Sequence, residues 1–221
     1  MGAAVELSVR ALLLDMDGTL VNSDAAVERV WRRWAASHEL DGDLVMKVAH
    51  GRQGYSTMAL MLPDRPMSEN YADNTRLLAE ETADTDGVVA VPGAPEFLAS
   101  LRDVPHALVT SADVGLSTAR MAAAGLTAPE IKVTAEDVAV SKPDPEGFLK
   151  AAAELGIAPE DCLVFEDSEA GIAAGKAAGM RVVGIGPRAR AYAPDVVVPD
   201  LRAIRVSHAG DGSVLVRAEQ D

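Results

Sequence analysis

The chain has 221 residues, of which 48% are hydrophobic and 24% are charged, and its formal net charge is −14. This length and apolar content predict a folded protein with a substantial core, either one large domain or a core with a smaller inserted domain. A strongly acidic chain repels a polyanionic backbone unless its positive charges lie together on one face. Because the sequence has no such basic stretch, nucleic acid is excluded as an expected partner.

The N-terminal apolar run and the cysteine content bear on cellular location. Residues 9–14 are apolar except for Arg10, and Asp15 ends the run. It is too short for a signal peptide or a membrane span, so no membrane association is expected. Cys162 is the only cysteine, which excludes an intrachain disulfide and a cysteine cluster that holds a metal. These features predict a cytoplasmic protein and leave its oligomeric state open.

After a predicted strand at residues 11–14, the chain changes character. Residues 23–84 contain no strand-like run and show helical periodicity. Four apolar residues have the spacing of one helix face: Val27, Val30, Trp31 and Trp34. Ser23 and Asp24, at the start of the segment, are candidate helix caps. The segment is therefore predicted to be an all-helical domain inserted into the core.

The second half of the chain alternates short apolar runs with Ala-rich helical stretches, a pattern typical of parallel strands joined by crossover helices. The predicted strands are residues 106–110, 162–165 and 181–185, and the predicted helices are residues 95–101, 116–124, 146–155 and 170–178. Three glycines follow these helices, where a left-handed closing residue is expected: Gly125, Gly156 and Gly179.

The predicted fold class is α/β, with a Rossmann-like parallel sheet as the core, helices on both faces and an inserted all-helical cap domain. The core is discontinuous and comprises residues 1–22 and 85–205, and the cap comprises residues 23–84. Residues 206–221 form a tail to which the sequence assigns no element.

Four polar clusters fall at or just beyond the end of a predicted strand or in a loop between two of them, the sheet edge where open α/β folds bind ligands. They are Asp15 and Asp17 in DMDGT, Thr110 and Ser111 after HALV, Lys142 in SKPDP, and Glu166 and Asp167 after CLVF. Each alone could be a turn, a cap or a solvated charge. Together they supply a carboxylate nucleophile, hard oxygen ligands for Mg²⁺, cationic and hydroxyl partners for phosphate, and a second acid that moves a proton.

With these motifs in this order, residues 10–200 resemble the haloacid dehalogenase superfamily of phosphohydrolases, in the branch with a helical cap inserted soon after the first motif. The resemblance implies that Asp15 attacks phosphorus and carries a covalent phosphoryl group. It implies that Asp17 protonates the leaving oxygen and later activates water. Lys142 would pair with the nucleophile and with the phosphate.

The same resemblance assigns the phosphate and metal contacts. Thr110 would bind phosphate through its hydroxyl, assisted by the main chain of Ser111, and Glu166 would support the site from behind. The implied cofactor is Mg²⁺, with three ligands: the carboxylates of Asp15 and Asp167 and the main-chain oxygen of Asp17. Gly18 after the second aspartate would let the backbone approach a ligand closely and turn sharply.

The cap is expected to select the substrate. In the stretch HGRQGYS, His50 and Arg52 are candidate donors to a phosphate or to sugar hydroxyls, whereas Lys47 is a weaker candidate on a helix face. Capped sugar and polyol phosphatases of the family carry a similar loop, which implies a small phosphate ester such as glycerol phosphate or hexose phosphate as substrate. A hinge near Asn22 and Asp86 would close the cap over the site.

Four other functions compete with phosphate-ester hydrolysis. A phosphomutase resembling β-phosphoglucomutase would use the same motifs, and the motifs do not separate it from a phosphatase. A carbon–halogen hydrolase would need neither Asp17 nor Asp167. A phosphonate hydrolase would use a cap lysine, for which Lys47 is available, but usually lacks the second aspartate. The remaining alternative is a binding module that has lost catalysis, although no expected catalytic group is missing.

Overall fold

The structure, a computed structural model, describes residues 4–209 and 211–220. Its helices are α1 (Asp24–Ser37), α2 (Gly42–Ala49), α3 (Gly54–Met61), α4 (Met67–Ala83), α5 (Ala94–Ser100), α6 (Val114–Ala123), α7 (Glu146–Leu155) and α8 (Glu169–Ala177). Its strands are β1 (Ala4–Val9), β2 (Ala11–Leu14), β3 (Val21–Asn22), β4 (Val89–Ala90), β5 (His106–Val109), β6 (Ile131–Val133), β7 (Cys162–Glu166), β8 (Arg181–Ile185), β9 (Val196–Val198), β10 (Ile204–His208) and β11 (Val214–Glu219). Within these described ranges, no helix has both the length and the apolar content that a membrane span requires.

A six-stranded parallel sheet forms the centre of the fold, in the order β6-β5-β2-β7-β8-β9. Successive side chains of a strand point to opposite faces, and β2 shows this clearly. Leu12 and Leu14 join the apolar cluster that contains Phe97 of α5, whereas Leu13 joins the cluster that contains Phe148 of α7. Helices therefore cover both faces of a buried parallel sheet, and the predicted α/β class is confirmed.

The predicted core elements appear with small shifts at their ends. The helix predicted at residues 116–124 begins two residues earlier, because the carboxylate of Asp113 accepts a hydrogen bond from the backbone N–H of Leu116 and caps α6. The strand predicted at residues 106–110 ends one residue earlier, at Val109. Gly125, Gly156 and Gly179 all have positive φ angles, as predicted for residues that follow a helix.

Residues 23–84 contain α1 to α4 and no strand, and we call these four helices the helical insertion. Trp31, Trp34 and Met58 are buried in its own apolar cluster, separate from the two clusters of the sheet. The two linkers to the core form a short antiparallel pair in which Val21 lies opposite Ala90 and Asn22 opposite Val89. The division of the chain into a core and a cap domain remains our proposal, supported by this separate cluster.

The C-terminal segment, which the sequence left unassigned, forms regular structure. β11 lies between β1 and β10 in a three-stranded antiparallel sheet. Val214, Val216 and Ala218 alternate toward the core and are buried, which explains why the segment is ordered as a strand. Its partner β1 lies at the opposite end of the sequence, so no local pattern indicated the pairing. The tail prediction also covered Gly210 and Asp221, which lie outside the described residues.

Candidate active site

Three of the four motif clusters come from neighbouring strands of the parallel sheet. Asp15 follows β2, and its backbone N–H donates to the carbonyl oxygen of Phe165 at 3.0 Å. Thr110 follows β5, and Glu166 ends β7. Because β2 lies between β5 and β7, their carboxyl ends bring these residues to one edge of the sheet. This is the edge at which open α/β sheets bind ligands.

Lys142 reaches this edge from the loop before α7 and is buried among acceptors. Its Nζ donates to Asp15 Oδ1 at 2.7 Å, to Glu166 Oε1 at 2.8 Å and to the carbonyl oxygen of Val109 at 3.0 Å. An ammonium group has three donors, and these three contacts use all of them. Lys142 therefore has a fixed position beside the proposed nucleophile.

The burial of this pair shifts both pKa values. Burial and the nearby charge of Glu166 raise the pKa of Asp15 to about 7, although Lys142 acts in the opposite direction. Burial lowers the pKa of Lys142, but Asp15 and Glu166 outweigh it and raise that pKa above its ordinary value. Lys142 therefore stays cationic and can oppose negative charge that develops at this edge.

Glu166 is satisfied on both of its carboxylate oxygens. Oε1 accepts from Lys142, whereas Oε2 accepts from the backbone N–H groups of Asp167 and Ser168 and from the Ser168 hydroxyl, each at 2.9 Å. Ser168 in turn caps α8 through a hydrogen bond from the Gly171 N–H. Glu166 thus orients Lys142 and fixes the start of α8 at the same time, which fits the supporting role expected of it.

A cluster of three buried carboxylates fits a divalent cation. Asp15, Glu166 and Asp167 each offer an oxygen within 4.8 Å of the others. Burial first, and then the charges of Glu166 and Asp15, raise the pKa of Asp167 well above its ordinary value. A bound cation would reduce this repulsion between the carboxylates. Carboxylate oxygens are hard ligands that suit Mg²⁺. Asp15 and Asp167, two of the three predicted metal ligands, are both members of the cluster.

Gly18 explains how the DMDGT turn packs against this cluster. Its φ angle is +85°, a left-handed conformation that glycine adopts without steric cost. A Cβ at this position would overlap the carboxylate of Asp167. The turn can therefore approach Asp167 only because residue 18 has no side chain.

Asp17 lies beside Asp15 and has a donor on each carboxylate oxygen. The Ser23 hydroxyl donates to Oδ1 at 2.6 Å, and Arg120 Nη1 pairs with Oδ2 at 2.9 Å. Ser23 is the residue before α1, as the predicted cap position requires, but its hydroxyl contacts Asp17 and does not cap the helix. Asp24, the other candidate cap, is the first residue of α1 and pairs with Arg188 at 3.2 Å.

Sequence reasoning missed three charged residues at the site: Glu81, Arg120 and Arg188. Arg120 is 4% exposed on the buried face of α6, beside Leu116 and Met121. A charged residue at a core-facing helix position was the signal that could have identified it. Arg188 follows β8 and pairs with Asp167 Oδ2 at 2.8 Å, next to the carboxylate cluster.

The second motif places its two hydroxyl residues differently. Thr110 is buried beside the cavity, and its Oγ1 accepts from the backbone N–H of Ala112 at 3.1 Å. The hydroxyl of Ser111 donates to the carbonyl oxygen of Gly51 at 3.0 Å, and so joins the core to the helical insertion. Only the backbone of Ser111 had been predicted to bind phosphate.

The insertion loop, residues 50–53, lies over the sheet edge and closes the site. Gln53 Nε2 donates to the carbonyl oxygen of Ala135 at 3.2 Å, a second link between the insertion and the core. The cavity beneath has a volume of about 70 Å³, and His50 and Arg52 line it together with Asp15 and Asp17. Burial, followed by the charge of Arg188, lowers the pKa of His50. Lys47 is exposed on α2 and lines a neighbouring groove.

The parallel sheet and the carboxylate–lysine cluster at its edge define an enzyme of the α/β class. The chain belongs to the haloacid dehalogenase-like hydrolases, whose family pattern matches residues 9–179. This confirms the family and the hydrolase class that the motifs predicted.

Two curated relatives and one solved structure illustrate the similarity. Hexitol phosphatase A of Escherichia coli (strain K12) is 38% identical over 213 residues, with 94% of this chain and 99% of that protein covered. Glycerol-1-phosphate phosphohydrolase 2 of Saccharomyces cerevisiae is 32% identical, with 91% and 86% covered. A β-phosphoglucomutase structure from Clostridium difficile superposes with a TM-score of 0.77 over 87% of this chain and 92% of that one, at 19% identity, and shows the shared fold.

Proposed function

We propose that this chain is a Mg²⁺-dependent phosphatase that hydrolyses a small sugar or polyol phosphate through a covalent phosphoryl group on Asp15. The observation that carries the proposal is the buried contact of Lys142 Nζ at 2.7 Å with Oδ1 of Asp15, which lines the cavity. A carboxylate held against a fixed cation, beside a second carboxylate on Asp17, is the arrangement that covalent phosphoryl transfer requires.

In the first step an oxygen of Asp15 attacks phosphorus, and the bond from phosphorus to the ester oxygen breaks. The bonding electron pair leaves with the ester oxygen, which takes a proton from the carboxyl group of Asp17. Lys142 offsets negative charge on the phosphoryl oxygens, and Thr110 would donate its hydroxyl to them. The products of this step are the free alcohol and the phosphorylated Asp15.

In the second step a water oxygen attacks the same phosphorus atom. Asp17, now a carboxylate, accepts a proton from the water, and the bond between phosphorus and the Asp15 oxygen breaks. Inorganic phosphate is released, and both aspartates return to their starting states. The insertion loop lies over the cavity and limits the access of bulk water during the first step.

The proposed Mg²⁺ would be held by Asp15, by the main-chain oxygen of Asp17 and by Asp167. When bound, it would neutralise charge on the phosphate and on the carboxylate cluster. Arg188 pairs with Asp167 at 2.8 Å and with Asp24 at 3.2 Å, so it can hold the Asp167 carboxylate in position.

The substrate class rests on the relatives and on the cavity. One curated relative is a hexitol phosphatase and another is a glycerol-1-phosphate phosphohydrolase, and both are at least 30% identical over most of this chain. The small cavity supports a small ester, and His50 and Arg52 at its rim supply donors for hydroxyl groups. We propose glycerol phosphate and hexose or hexitol phosphates as the first candidates, and a cytoplasmic location, as the single buried cysteine suggests.

The test is phosphate release from a panel of phosphorylated sugars, polyols, nucleotides and amino acids, with Mg²⁺ and with EDTA. Wild type should release phosphate from one or a few sugar or polyol phosphates only with Mg²⁺, and Asp15→Asn should release none. Metal-independent release, or full activity of Asp15→Asn, would contradict the proposal. Isomerisation of a hexose phosphate without net phosphate release would support the phosphomutase alternative.

A further inference from the structure

We propose that Arg120, which lies outside the four motif clusters, is a positioning residue for Asp17, and that Glu81 of the helical insertion holds Arg120 in place. This inference rests on the proposed function, because it assigns Asp17 the proton transfer of that reaction. It links a residue of α4 to the chemistry through two ion pairs, Glu81 to Arg120 and Arg120 to Asp17.

The carboxylate of Asp17 is oriented by donors from two different elements. The Ser23 hydroxyl holds Oδ1 at 2.6 Å from the start of α1, and Arg120 Nη1 holds Oδ2 at 2.9 Å from α6. Two donors on separate oxygens fix the plane of a carboxylate as well as its place. The Asp17 side chain remains 28% exposed, so it can still meet a substrate in the cavity.

Glu81 lies on α4, whereas Arg120 belongs to the core. Glu81 Oε2 pairs with Arg120 Nη2 at 3.2 Å, and both side chains are almost fully buried and line the active-site cavity. The pair exists only while α4 packs against α6. Closure of the helical insertion therefore brings Glu81 to the guanidinium of Arg120. The guanidinium, once fixed, holds the carboxylate of Asp17.

The buried ion pair between Glu81 and Arg120 is not explained by a contribution to stability. Buried ion pairs contribute little net stability unless their remaining polar atoms are satisfied. In the described part of the chain, Arg120 Nε and Nη2 have no hydrogen-bond partner, and Nη2 meets Glu81 only as an ion pair. The neighbours of Arg120 on α6 are the apolar residues Leu116 and Met121. An apolar residue would fill this helix position at lower cost. The contact with Asp17 explains why a charged residue occupies position 120.

The reaction makes the orientation of Asp17 important. Its carboxyl proton must reach the ester oxygen as the bond to phosphorus breaks, and its carboxylate must later accept a proton from water. Misplacement of a catalytic group by about 1 Å can cost about 100-fold in rate. Arg120 changes no bond itself, so its loss should act on the two proton transfers and leave substrate binding nearly intact.

The first experiment compares two substrates in the Arg120→Met variant. With the most active polyol phosphate of the panel, such as glycerol phosphate, we expect kcat to fall about 100-fold and KM to change less than about 3-fold. With p-nitrophenyl phosphate the leaving oxygen needs little protonation, so the first step should survive and only the attack of water should slow. Rapid mixing should then show a burst of p-nitrophenol equal to the enzyme concentration, followed by slow turnover.

The second experiment tests whether Arg120 acts through Asp17. In an Asp17→Asn background, Arg120→Met should cause no further loss of kcat, because the group that it positions is already absent. Arg120→Lys keeps the positive charge and should recover part of the activity lost in Arg120→Met. Additive losses in the double variant would overturn the assignment, since they would mean that Arg120 acts on the substrate directly.

The third experiment tests the link to the helical insertion. Glu81→Gln should lower kcat for the polyol phosphate about 10-fold with little change in KM, and it should have no effect when Arg120 is already Met. The control is Glu80→Gln on the same helix, because Glu80 pairs at the surface with Arg33 and does not line the cavity. Equal effects of the two changes, or a rise in KM alone, would contradict the role of Glu81.

A second variant distinguishes a loss of folding from a loss of function. If Arg120→Met does not fold, the pair Arg120→Met/Glu81→Gln removes both charges and leaves no unpaired buried ion, and it should show the same burst. Proportional loss on both substrates without a burst in a folded variant would refute the positioning role. Failure of wild type to release phosphate from any ester would refute the proposed function itself, and the inference with it.

Discussion

Glu81 carries a carboxyl group that is buried beside the active-site cavity. Burial raises its pKa from 4.5 to about 7, although Arg120 acts in the opposite direction. A carboxyl group with a raised pKa is protonated more readily in the folded chain than in the unfolded one. Its contribution to stability is therefore fully present below pH 4.5 and is lost as the pH rises through about 7.

This linkage gives a prediction for the pH dependence of stability. The unfolding free energy of wild type, measured with urea in the absence of Mg²⁺, should fall relative to that of Glu81→Gln between pH 4.5 and pH 7. The relative loss should reach up to about 3 kcal/mol, because each unit of pKa shift corresponds to about 1.4 kcal/mol. Glu80→Gln controls for the loss of one charge from α4. A difference between wild type and Glu81→Gln that does not vary with pH would contradict the prediction.

Some residues of the site could be predicted from the sequence, whereas others could not. The motif residues were predicted because each lies in a recognisable local pattern, after a strand or in a loop between strands, and the structure brings Lys142 into contact with Asp15 and Glu166. Their catalytic roles remain predictions. Arg120 and Glu81 carry no local pattern and are 39 residues apart in sequence, so only the packing of α4 on α6 shows that they meet.

At the scale of elements, the start of α8 sets the position of Lys142. α8 passes so close to Glu166 that a Cβ at Gly171 would overlap the Glu166 carboxylate. That carboxylate holds Lys142 through Oε1 and the first turn of α8 through Oε2. A side chain at position 171 would therefore displace Glu166 and, through Lys142, disturb the carboxylate of Asp15.

Gly171→Ala should therefore impair both stability and catalysis. Overpacking should cost about 1–3 kcal/mol of unfolding free energy, and displacement of Glu166 should lower kcat for the best substrate at least about 10-fold. The matched control is Gly115→Ala in the first turn of α6, where the new Cβ would make an ordinary contact of 3.5 Å with Asp113. That change should be neutral or stabilising, because alanine favours a helix. A harmless Gly171→Ala would show that Glu166 can move freely.

The insertion loop gives a second prediction at this scale. Arg52→Ala should raise KM about 10-fold for the polyol phosphate, since a charge-assisted hydrogen bond to a substrate hydroxyl is lost. KM for p-nitrophenyl phosphate should change less than about 2-fold, because its aryl group offers no hydroxyl to the loop. Lys47→Ala is the control, since Lys47 is exposed outside the cavity. Equal rises in KM for both substrates would contradict recognition by the insertion loop.

The elements themselves were largely predictable from the sequence, for a physical reason. Buried parallel strands are continuous apolar runs, and the helices between them have regular apolar spacing and a closing glycine. The edge strands β6 and β9 were missed, because three-residue strands are too short to show a pattern. The small sheet of β1, β10 and β11 was missed because it joins the two ends of the chain.

For the whole molecule, this small sheet closes one side of the core. Val216→Ala should lower the unfolding free energy by about 2 kcal/mol, since Val216 is fully buried and its loss leaves a cavity. Leu215→Ala, on the opposite face of β11, should cost less although it removes a larger side chain. Neither change should alter kcat or KM, because β11 contributes no residue to the active-site cavity. Equal costs at the two positions would show that the sheet does not pack on the core.

The paired linkers of the helical insertion have a consequence for how such enzymes diversify. β3 and β4 leave the parallel sheet side by side, with Asn22 directly opposite Val89. A tight turn of about two to five residues can join an antiparallel pair of this kind. The whole segment between them could therefore be excised, or replaced by a segment of another length, without a shift in the register of the core strands. Replacement of the helical insertion can in this way change the substrate, while the catalytic groups at the edge of the parallel sheet stay the same.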